Sequence, residues 1–452
     1  MSKYIYKLHD YHAVKDAEIS IDGITVLAGV NGCGKSTLSR WLYFLINGSY
    51  NYDQYLFDEF KKRISGWLER LDLVVWDIAQ RTENAKIQET LSDFRIDDLV
   101  EGMNRLTLLP NQTSKSIEAV ESIFNSSLSS VESILDLYFA DQSIPMNRKD
   151  RIKSYLYAVS GIKNDESVLS FVEETNRWFQ VLVKQLSQEI GTRPKDSFFE
   201  LIQRRSEKSE DIPSCIQLSE DGVDIIEENR ISAIFNLHRA IYVDTPMSIT
   251  TDASNNVFWN ALREKMFESK EIYLSEQRKL LRRINKLLDG EARLASNNIT
   301  EKKELRYVSN DKLIDIPLND AATGFKTFSY LQRLLENGYL TSETLLMIDE
   351  PEAHLHPQWI VDFARLLVLL HKEIGVKVMI ASHNPDMVAA IQAIAGKEGA
   401  LENTHFYLAK PCDDNSHQYV YKNLGSEIGE IFESFNIALD RINQYGERSV
   451  SI

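Results

Sequence analysis

The segment from Gly29 to Ser36 constrains the fold of this chain more than any other part of the sequence. It reads Gly-Val-Asn-Gly-Cys-Gly-Lys-Ser and follows an apolar run at 24–28. After it, apolar residues recur at three- and four-residue intervals over 35–46. The apolar run predicts a buried strand, and the intervals predict one face of a helix. A strand, a glycine-rich loop and a helix in this order form the context of a phosphate-binding loop.

The residue types in this loop fit the pattern GxxxxGK followed by Ser or Thr, which is typical of polyphosphate recognition. The glycines allow backbone N–H groups to curl around a β-phosphate at the helix N-terminus, where the helix dipole also favours anions. Lys35 would reach the β- and γ-phosphates, and the Ser36 hydroxyl would bind Mg²⁺. We therefore predict that the chain binds ATP with Mg²⁺. The predicted nucleotide-binding residues are Gly29, Val30, Asn31, Gly32, Cys33, Gly34, Lys35, Ser36 and Thr37.

A second polar segment, far downstream, is predicted to complete this site. The apolar residues at 345–348 predict a central strand, and Asp349 and Glu350 follow at its carboxyl end. Ligands of open α/β sheets bind at that edge. We predict that Asp349 holds Mg²⁺ through its water shell and that Glu350 is the general base for the attacking water. The chain is therefore predicted to hydrolyse ATP.

A third apolar run, at 378–380, is followed by Ala381, Ser382 and His383. A histidine at the end of such a strand would lie at the same sheet edge as the acidic pair. We predict that His383 is catalytic, because it would hydrogen-bond the γ-phosphate or orient the water. The alternative is a purely structural histidine.

The length and composition bound the possible architectures. A chain of 452 residues is long for one ordinary core, so we expect one large α/β domain with a sizeable insertion, or two domains. No apolar run approaches the roughly 18 residues that a membrane span needs, and residues 1–7 lack the apolar core of a secretory signal. We therefore expect a cytoplasmic protein with no membrane partner. Its three cysteines are too far apart in sequence for a metal tetrad or a disulfide framework.

The sequence pattern becomes helical in the region between the two parts of the predicted site. Residues 49–239 carry helical periodicity with polar breaks, and no sustained heptad register indicates a long coiled coil. We predict a helical insertion domain there and a discontinuous head formed by 1–48 and 240–452. Further predicted strands lie at 4–8, 17–21, 240–243, 306–308, 313–316, 376–380 and 404–408, and predicted helices at 257–288 (one or two), 324–335, 358–373 and 385–395.

The order of these motifs resembles that of the ABC-type ATPases of the SMC and overcoming-lysogenization-defect branch. The most specific match is the run Asp-Glu-Pro-Glu-Ala-His-Leu-His-Pro at 349–357, and the resemblance covers roughly 1–48 and 305–410. It implies an α/β P-loop head with a mixed central sheet. It also implies that two copies sandwich two nucleotides, in a homodimer or larger homo-oligomer, with a D-loop at about 353–356.

The resemblance places the family's signature helix, which contacts the γ-phosphate of the other copy, at 321–326. Thr323 and Gly324 are its predicted nucleotide-binding residues, and a glycine that opens a helix fits an anion site. Ala322 stands where the family has a serine, so we expect Thr323 to substitute and turnover to be slow or gated by a partner. The alternative interpretation of Thr323 is a simple helix N-cap.

Two weaker positions follow from the same resemblance. The family's Q-loop would fall at Asp244, Thr245 and Pro246, although no Gln is present there. Tyr11 and His12 could stack on adenine, and the alternative for an aromatic residue there is packing within the core or a hairpin.

The leading functional hypothesis is an ATPase subunit of a prokaryotic antiphage defence system. It would act as sensor and scaffold for an effector, a nuclease or toxin, encoded by another gene. Overcoming-lysogenization-defect nucleases append a Toprim domain after the ATPase, whereas only about 40 residues follow Leu408 here. The similar compact proteins are ATPase subunits of Septu-type, retron-associated and PARIS-type systems.

Two alternatives remain open. One is a DNA-repair ATPase that clamps DNA: the formal net charge of -16 argues against a protein that coats nucleic acid, but a local basic helix face is predicted. That face would carry Arg278, Lys279, Arg282, Arg283 and Lys286. The other alternative is a nucleotide-locked structural assembly with little turnover. The large insertion argues against the motor subunit of a membrane transporter.

Overall fold

The structure is a computed structural model that describes residues 2–109, 112–160, 168–206, 211–244, 256–268, 275–296, 303–353, 355–412 and 415–435. The chain divides into two compact units. The head comprises Met1–Tyr50 and Phe198–Ile452, and the insertion comprises Asn51–Ser197.

The head is built on strands that form two sheets. In chain order the strands are β1 Tyr4–Tyr11, β2 Val14–Ile21, β3 Ile24–Ala28, β4 Cys215–Glu220, β5 Val223–Asp224, β6 Arg239–Val243, β7 Gly290–Ser296, β8 Lys303–Ser309, β9 Asp315–Pro317, β10 Thr344–Asp349, β11 Lys377–Ser382, β12 Thr404–Cys412 and β13 Asn415–Gly425. The large mixed sheet has the order β5-β4-β1-β2-β13-β12-β3-β11-β10-β6, and β7, β8 and β9 form a separate antiparallel sheet.

The parallel part of the large sheet positions the site. Strands β6, β10, β11, β3 and β12 are parallel neighbours, so their carboxyl ends meet at one edge. Every residue of β3, β10 and β11 is buried. Continuous apolar runs are typical of such strands, because both sheet faces are covered. By contrast, β1 alternates buried and partly exposed residues over Tyr4–Leu8, as expected of an antiparallel strand.

The helices are distributed between the two units. In chain order they are α1 Lys35–Ala79, α2 Ala85–Asp93, α3 Ile96–Asn104, α4 Thr113–Ala140, α5 Met146–Ser160, α6 Val168–Thr192, α7 Lys195–Arg205, α8 Val257–Phe267, α9 Ser275–Leu288, α10 Thr323–Glu336, α11 Pro357–Leu369, α12 Pro385–Glu398 and α13 Gly429–Phe435. One boundary between the units falls within α1 and the other within α7.

Each unit has its own apolar core. In the head, Ile24 and Val26 of β3 belong to one continuous buried cluster with Leu331 of α10 and Phe363 of α11. In the insertion, the core is aromatic. Phe124 of α4 stacks on Phe179 of α6 with the ring centroids 4.0 Å apart, and the ring centroid of Trp67 of α1 lies 5.1 Å from that of Phe124. Among the described residues, no helix has both the length and the apolar character that a membrane crossing requires.

The predicted fold class is confirmed: the chain has an α/β P-loop head with a mixed central sheet and a large helical insertion. The insertion was predicted at 49–239 and covers Asn51–Ser197, so the main difference is at its end. We placed the end of the insertion at 239, whereas the head resumes at Phe198. The reason is β4, which pairs with β1 over His9↔Cys215 to Tyr4↔Glu220 and so belongs to the central sheet.

The first helix and the strand predicted at 313–316 also differ from the expectations. The helix predicted at 35–46 continues to Ala79. Of the two alternatives for 257–288, the structure has the two-helix one, α8 and α9. The strand predicted at 313–316 is shorter and shifted, since β9 covers Asp315–Pro317 and the preceding residues form the turn from β8.

Candidate functional site

The glycine-rich loop lies between β3 and α1, and two of its glycines are required by the backbone. Gly32 and Gly34 have φ values of +81° and +95°, a region that residues with a Cβ rarely adopt. At Gly34 space is also short, because a Cβ there would lie 2.6 Å from Cγ2 of Val14. The loop conformation therefore depends on glycine at these two positions.

The side chain of Lys35 folds back over this loop. Its Nζ donates to the carbonyl oxygens of Gly29 and Val30, each at 2.9 Å, and lies 3.7 Å from Sγ of Cys33. These acceptors are neutral, and hydrogen bonds from an ammonium group to an anionic oxygen are stronger. An anion in the loop would therefore compete well for the Lys35 ammonium.

A cavity of about 480 Å³ opens beside the loop, within the 300–1,000 Å³ range of small-molecule and cofactor sites. It brings together residues from the loop, from α1, from the turn between β1 and β2, and from the ends of β10 and β11. The lining residues are Tyr11, His12, Ala13, Asn31, Gly32, Gly34, Lys35, Ser36, Thr37, Arg40, Asp349, Glu350 and Ala381. The structure therefore joins most of the predicted loop residues to the acidic pair, which is more than 300 residues away in the sequence.

Asp349 ends β10 and is almost completely buried, with 3% of its surface exposed. Its Oδ1 accepts a hydrogen bond from Ser39 at 3.0 Å, and its Oδ2 accepts one from the Tyr242 hydroxyl at 2.8 Å. Burial raises the pKa of Asp349 to about 6, against the opposing effect of the hydroxyl groups of Ser36, Tyr242 and Ser39. A cation bound at this carboxylate would favour its ionised form.

The donor set at Asp349 fits Mg²⁺. Hard divalent cations take oxygen ligands, and Ser36, with its hydroxyl group, lines the same cavity as Asp349. Within the described part of the chain, no group of three or more His, Cys, Asp or Glu side chains is arranged to hold a metal ion. At nucleotide sites Mg²⁺ is usually held by one or two protein groups together with phosphate oxygens and water.

Glu350 adopts a left-handed backbone conformation, with φ of +49°. Its N–H donates to the carbonyl oxygen of Ala381 at 2.8 Å, which fixes the turn that follows β10 against the end of β11. The side chain lines the cavity and is 39% exposed. This conformation is unfavourable for a residue with a Cβ, and residues that adopt it cluster at functional sites. The backbone of Glu350 is therefore consistent with a functional role of its side chain.

His383 directly follows β11 and lies next to Glu350. Its Nδ1 is 3.5 Å from Oε1 of Glu350 and 3.6 Å from Oε1 of Glu352. Glu352 is buried and also accepts hydrogen bonds from Ser382 Oγ at 2.8 Å and from the backbone N–H of His383 at 3.2 Å. Burial raises the pKa of Glu352. His383 does not line the cavity itself, so it reaches the site through Glu350.

The predicted signature residues lie elsewhere in the head. Thr323 and Gly324 open α10 and do not line the cavity. The N-cap residue of α10 is Ala322, so the alternative interpretation of Thr323 as the N-cap is wrong. A Cβ at Gly324 would lie 2.4 Å from Cζ3 of Trp359, and glycine is therefore required there by close packing of the indole ring.

Of the positions predicted for adenine stacking, the Q-loop and the D-loop, some line the cavity or its edge, and others lie outside the described residues. Tyr11 is buried and its hydroxyl donates to the carbonyl oxygen of Asp211 at 2.8 Å, yet it also lines the cavity, so both interpretations of this residue agree with its position. His12 is exposed and lines the cavity. Asp244 follows β6 at the same sheet edge as Asp349 and lies 3.4 Å from the Arg40 guanidinium. Thr245, Pro246 and His354 of the predicted Q-loop and D-loop lie outside the described residues.

Four residues of the site were missed in the sequence: Ser39, Arg40, Tyr242 and Glu352. For Ser39 and Arg40 a signal existed, since they lie four residues after Lys35 and Ser36 and so share their helix face. For Tyr242 no local signal existed, because its contact with Asp349 spans 107 residues of sequence.

Comparison with known proteins identifies relatives among ATP-binding proteins. The chain is 36% identical over 72 residues to the energy-coupling factor transporter ATP-binding protein EcfA3 of Clostridium perfringens, which covers 16% of this chain and 25% of that protein. It is 29% identical over 104 residues to a putative ABC transporter ATP-binding protein of the same species, which covers 23% of this chain and 33% of that protein. The chain thus spans a third or less of the length of these relatives.

Among solved structures, the Smc head domain of Pyrococcus furiosus bound to the C-terminal domain of ScpA aligns with 98% of this chain and 100% of its own, at 12% identity and a TM-score of 0.34. The narrower relation to the overcoming-lysogenization-defect branch stays a prediction.

A family model described as an AAA ATPase domain matches residues 7–388. This match includes the glycine-rich loop, the Asp349–Glu350 pair and His383. It extends over far more than half of the chain, from β1 to α12. The chain therefore belongs to the AAA ATPase domain family.

Proposed function

We propose that this chain binds ATP with Mg²⁺ in the cavity beside the glycine-rich loop and hydrolyses it to ADP and phosphate. One observation carries the proposal: Lys35 and Ser36 line the same cavity as Asp349 and Glu350. A phosphate-binding loop, a metal-binding carboxylate and a carboxylate base are the groups that phosphoryl transfer to water requires.

Each group has a distinct task in this proposal. The loop N–H groups and Lys35 bind the β- and γ-phosphates, and Ser36 and Asp349 hold Mg²⁺, which supplies charge neutralisation when bound. Glu350 orients the attacking water and accepts its proton. His383 keeps the Glu350 carboxylate in place from 3.5 Å.

Removal of the loop lysine tests the binding step. Lys35→Ala should lower ATP affinity and reduce phosphate release at least about 100-fold, because Lys35 supplies the charge that meets the β- and γ-phosphates. Lys62→Ala is the matched control, since Lys62 is an exposed residue of α1 outside the cavity. Equal ATP binding by Lys35→Ala and wild type would refute the assigned site.

The proposal extends to a homodimer, or a larger homo-oligomer, in which two copies sandwich two nucleotides. It is supported by α10, whose N-terminus at Thr323 has no side-chain cap and so leaves backbone N–H groups for an anion. Light scattering of Glu350→Gln with and without ATP tests it: ATP should double the mass. A mass that stays monomeric with ATP bound would contradict the dimer.

For the biological role, we propose a cytoplasmic sensor and scaffold for a separately encoded effector, a nuclease or toxin, in antiphage defence. The support is the resemblance of the 349–357 run to soluble ATPases of such systems. Phage plating efficiency should fall when the chain is expressed with the gene beside its own, and Lys35→Ala should restore it. If no neighbouring gene product binds the purified chain and no phage is restricted, this role is refuted.

A second candidate is DNA binding by an ATPase that clamps DNA, and the exposed basic face of α9 favours it. Arg278, Lys279, Arg282, Arg283 and Lys286 are all exposed, while Leu280, Leu281 and Ile284 face the core. Duplex DNA binding that weakens with salt and with the double variant Arg282→Ala/Arg283→Ala would support this function. Absence of binding at about 50 mM salt would reject it.

A further inference from the structure

The carboxylate of Asp349 is held from two sides by hydroxyl groups that do not face the cavity. Ser39 Oγ donates to Oδ1 at 3.0 Å and the Tyr242 hydroxyl donates to Oδ2 at 2.8 Å. Neither Ser39 nor Tyr242 lines the cavity, and their exposed fractions are 1% and 2%. The two hydroxyls therefore act on the orientation of the carboxylate and not on a nucleotide.

The sheet register explains why Tyr242 reaches Asp349. Tyr242 of β6 pairs with Met347 of β10, and Asp349 lies two residues beyond Met347. Side chains two residues apart in a strand lie on the same sheet face. The Tyr242 ring is fixed in addition by Phe258 of α8, in an edge-to-face contact with centroids 4.8 Å apart. Its hydroxyl is thus held in one place by the strand and the ring contact together.

A charged pair at the cavity wall determines where the Tyr242 proton goes. The hydroxyl oxygen of Tyr242 also lies 3.0 Å from Oδ1 of Asp244, but it has one proton to donate. Arg40, which lines the cavity, lies 3.4 Å from both carboxylate oxygens of Asp244. Because Arg40 compensates the charge of Asp244, the proton of Tyr242 is left for the shorter bond to Asp349.

We propose that Tyr242 is a positioning residue for Mg²⁺. Tyr242 and Ser39 together fix the Asp349 carboxylate in the orientation that holds the metal. The inference rests on the proposed function, because it assigns a role toward the metal of the same site. Outer hydrogen-bond partners of metal ligands commonly change metal affinity by 10–100-fold when they are removed. Here both ligand oxygens are restrained before the metal arrives.

The test separates metal-dependent from metal-independent nucleotide binding. A fluorescent ATP analogue is titrated into the full chain with saturating Mg²⁺ and again with EDTA, and the ratio of the two affinities is the Mg²⁺ enhancement. Tyr242→Phe keeps the ring and removes only the hydroxyl. It should lower the enhancement about tenfold and leave the affinity in EDTA unchanged. A purely structural role would lower both affinities together.

Two further variants complete the design. Tyr330→Phe also removes a buried tyrosine hydroxyl of the head, one for which the described residues offer no hydrogen-bond partner, and it should keep the wild-type enhancement. Ser39→Ala frees the other oxygen of Asp349 and should lower the enhancement in the same direction, which keeps the test decisive if Tyr242→Phe does not fold.

The outcomes distinguish this inference from the proposed function. If wild type shows an enhancement and Tyr242→Phe or Ser39→Ala retains all of it, the positioning role is refuted while Mg²⁺-dependent ATP binding stands. The positioning role is also refuted if a variant loses affinity for the ATP analogue by the same factor in EDTA as in Mg²⁺. If wild type itself shows no enhancement, both the proposed metal site and the positioning role fail.

Discussion

At the scale of single residues, Glu350 combines a strained backbone with the proposed catalytic role. Its φ of +49° places a residue with a long side chain in a left-handed conformation that glycine adopts at no steric cost. Glu350→Gly should therefore abolish hydrolysis and raise the free energy of unfolding by about 0.5–1 kcal/mol, since the steric cost exceeds the entropy that glycine adds to the unfolded chain. Denaturant unfolding and phosphate release measure the two effects.

The matched control is Lys312→Gly, at the turn between β8 and β9. Lys312 has φ of +61° and lies outside the cavity, so the substitution should raise stability by a similar amount and leave hydrolysis unchanged. A Glu350→Gly variant that is less stable than wild type would show that Glu350 stabilises the turn rather than straining it.

At the scale of secondary-structure elements, α10 and α11 pack so closely at Gly324 that no side chain fits. A Cβ there would lie 2.4 Å and 2.6 Å from two carbons of the Trp359 ring. Gly324→Ala should therefore lower the free energy of unfolding by about 1–3 kcal/mol, even without nucleotide, because overpacking forces the helices apart. Denaturant unfolding of the nucleotide-free chain measures this.

Gly396→Ala in α12 is the control for this substitution. Gly396 is exposed, and the nearest atom to an added Cβ is Cδ2 of Leu401 at 4.0 Å, so alanine fits. It should raise stability by about 0.5–1 kcal/mol through its higher helix propensity. Equal effects of the two substitutions would contradict the packing explanation for Gly324.

Elements next to the motifs were predictable, and elements defined by distant pairing were not. The strand predicted at 345–348 is β10 within one residue at each end, because a buried parallel strand is a continuous apolar run. Strands β4 and β13 were missed. Burial along β4 alternates, with Ile216 and Leu218 inside and polar residues between, and only its pairing with β1, some 200 residues earlier, defines it as part of the head.

In the candidate site, too, residues next to a motif could be predicted from the sequence, and residues defined by distant contacts could not. The loop, Asp349, Glu350 and His383 follow from local patterns, since each ends an apolar strand. Their supports do not: Tyr242 and Glu352 are recognisable only when neighbouring strands are in register. The role of Trp359 at Gly324 likewise depends on how two helices pack, which no local pattern specifies.

At the scale of the whole molecule, one buried histidine makes stability depend on pH. Burial holds the pKa of His371 below its usual 6.5, and its Nδ1 lies 3.1 Å from the Val376 carbonyl oxygen. The unfolded chain therefore binds this proton more readily, so the contribution of His371 lowers the free energy of unfolding as pH falls through about 6.5. Asp349, whose pKa burial raises to about 6, contributes with the opposite sign in the same range. The contribution of one proton is at most about 1.4 kcal/mol per pH unit.

His371→Gln should flatten this dependence, because glutamine does not titrate. The unfolding free energy of wild type and variant is compared between pH 7.5 and 5.5, where only the difference in slope is interpreted. Identical slopes would show that His371 is protonated equally in the folded and unfolded chains.

The central claim is that the cavity hydrolyses ATP with Glu350 as base. The most direct measurement is Mg²⁺-dependent phosphate release by wild type and Glu350→Gln, with ATP binding measured on the same samples. The account predicts that Glu350→Gln still binds ATP but releases phosphate at least about 100-fold more slowly. Two results would contradict this claim: phosphate release by Glu350→Gln at the wild-type rate, or release by wild type no faster than by Lys35→Ala. A nucleotide-locked assembly would then be the better description.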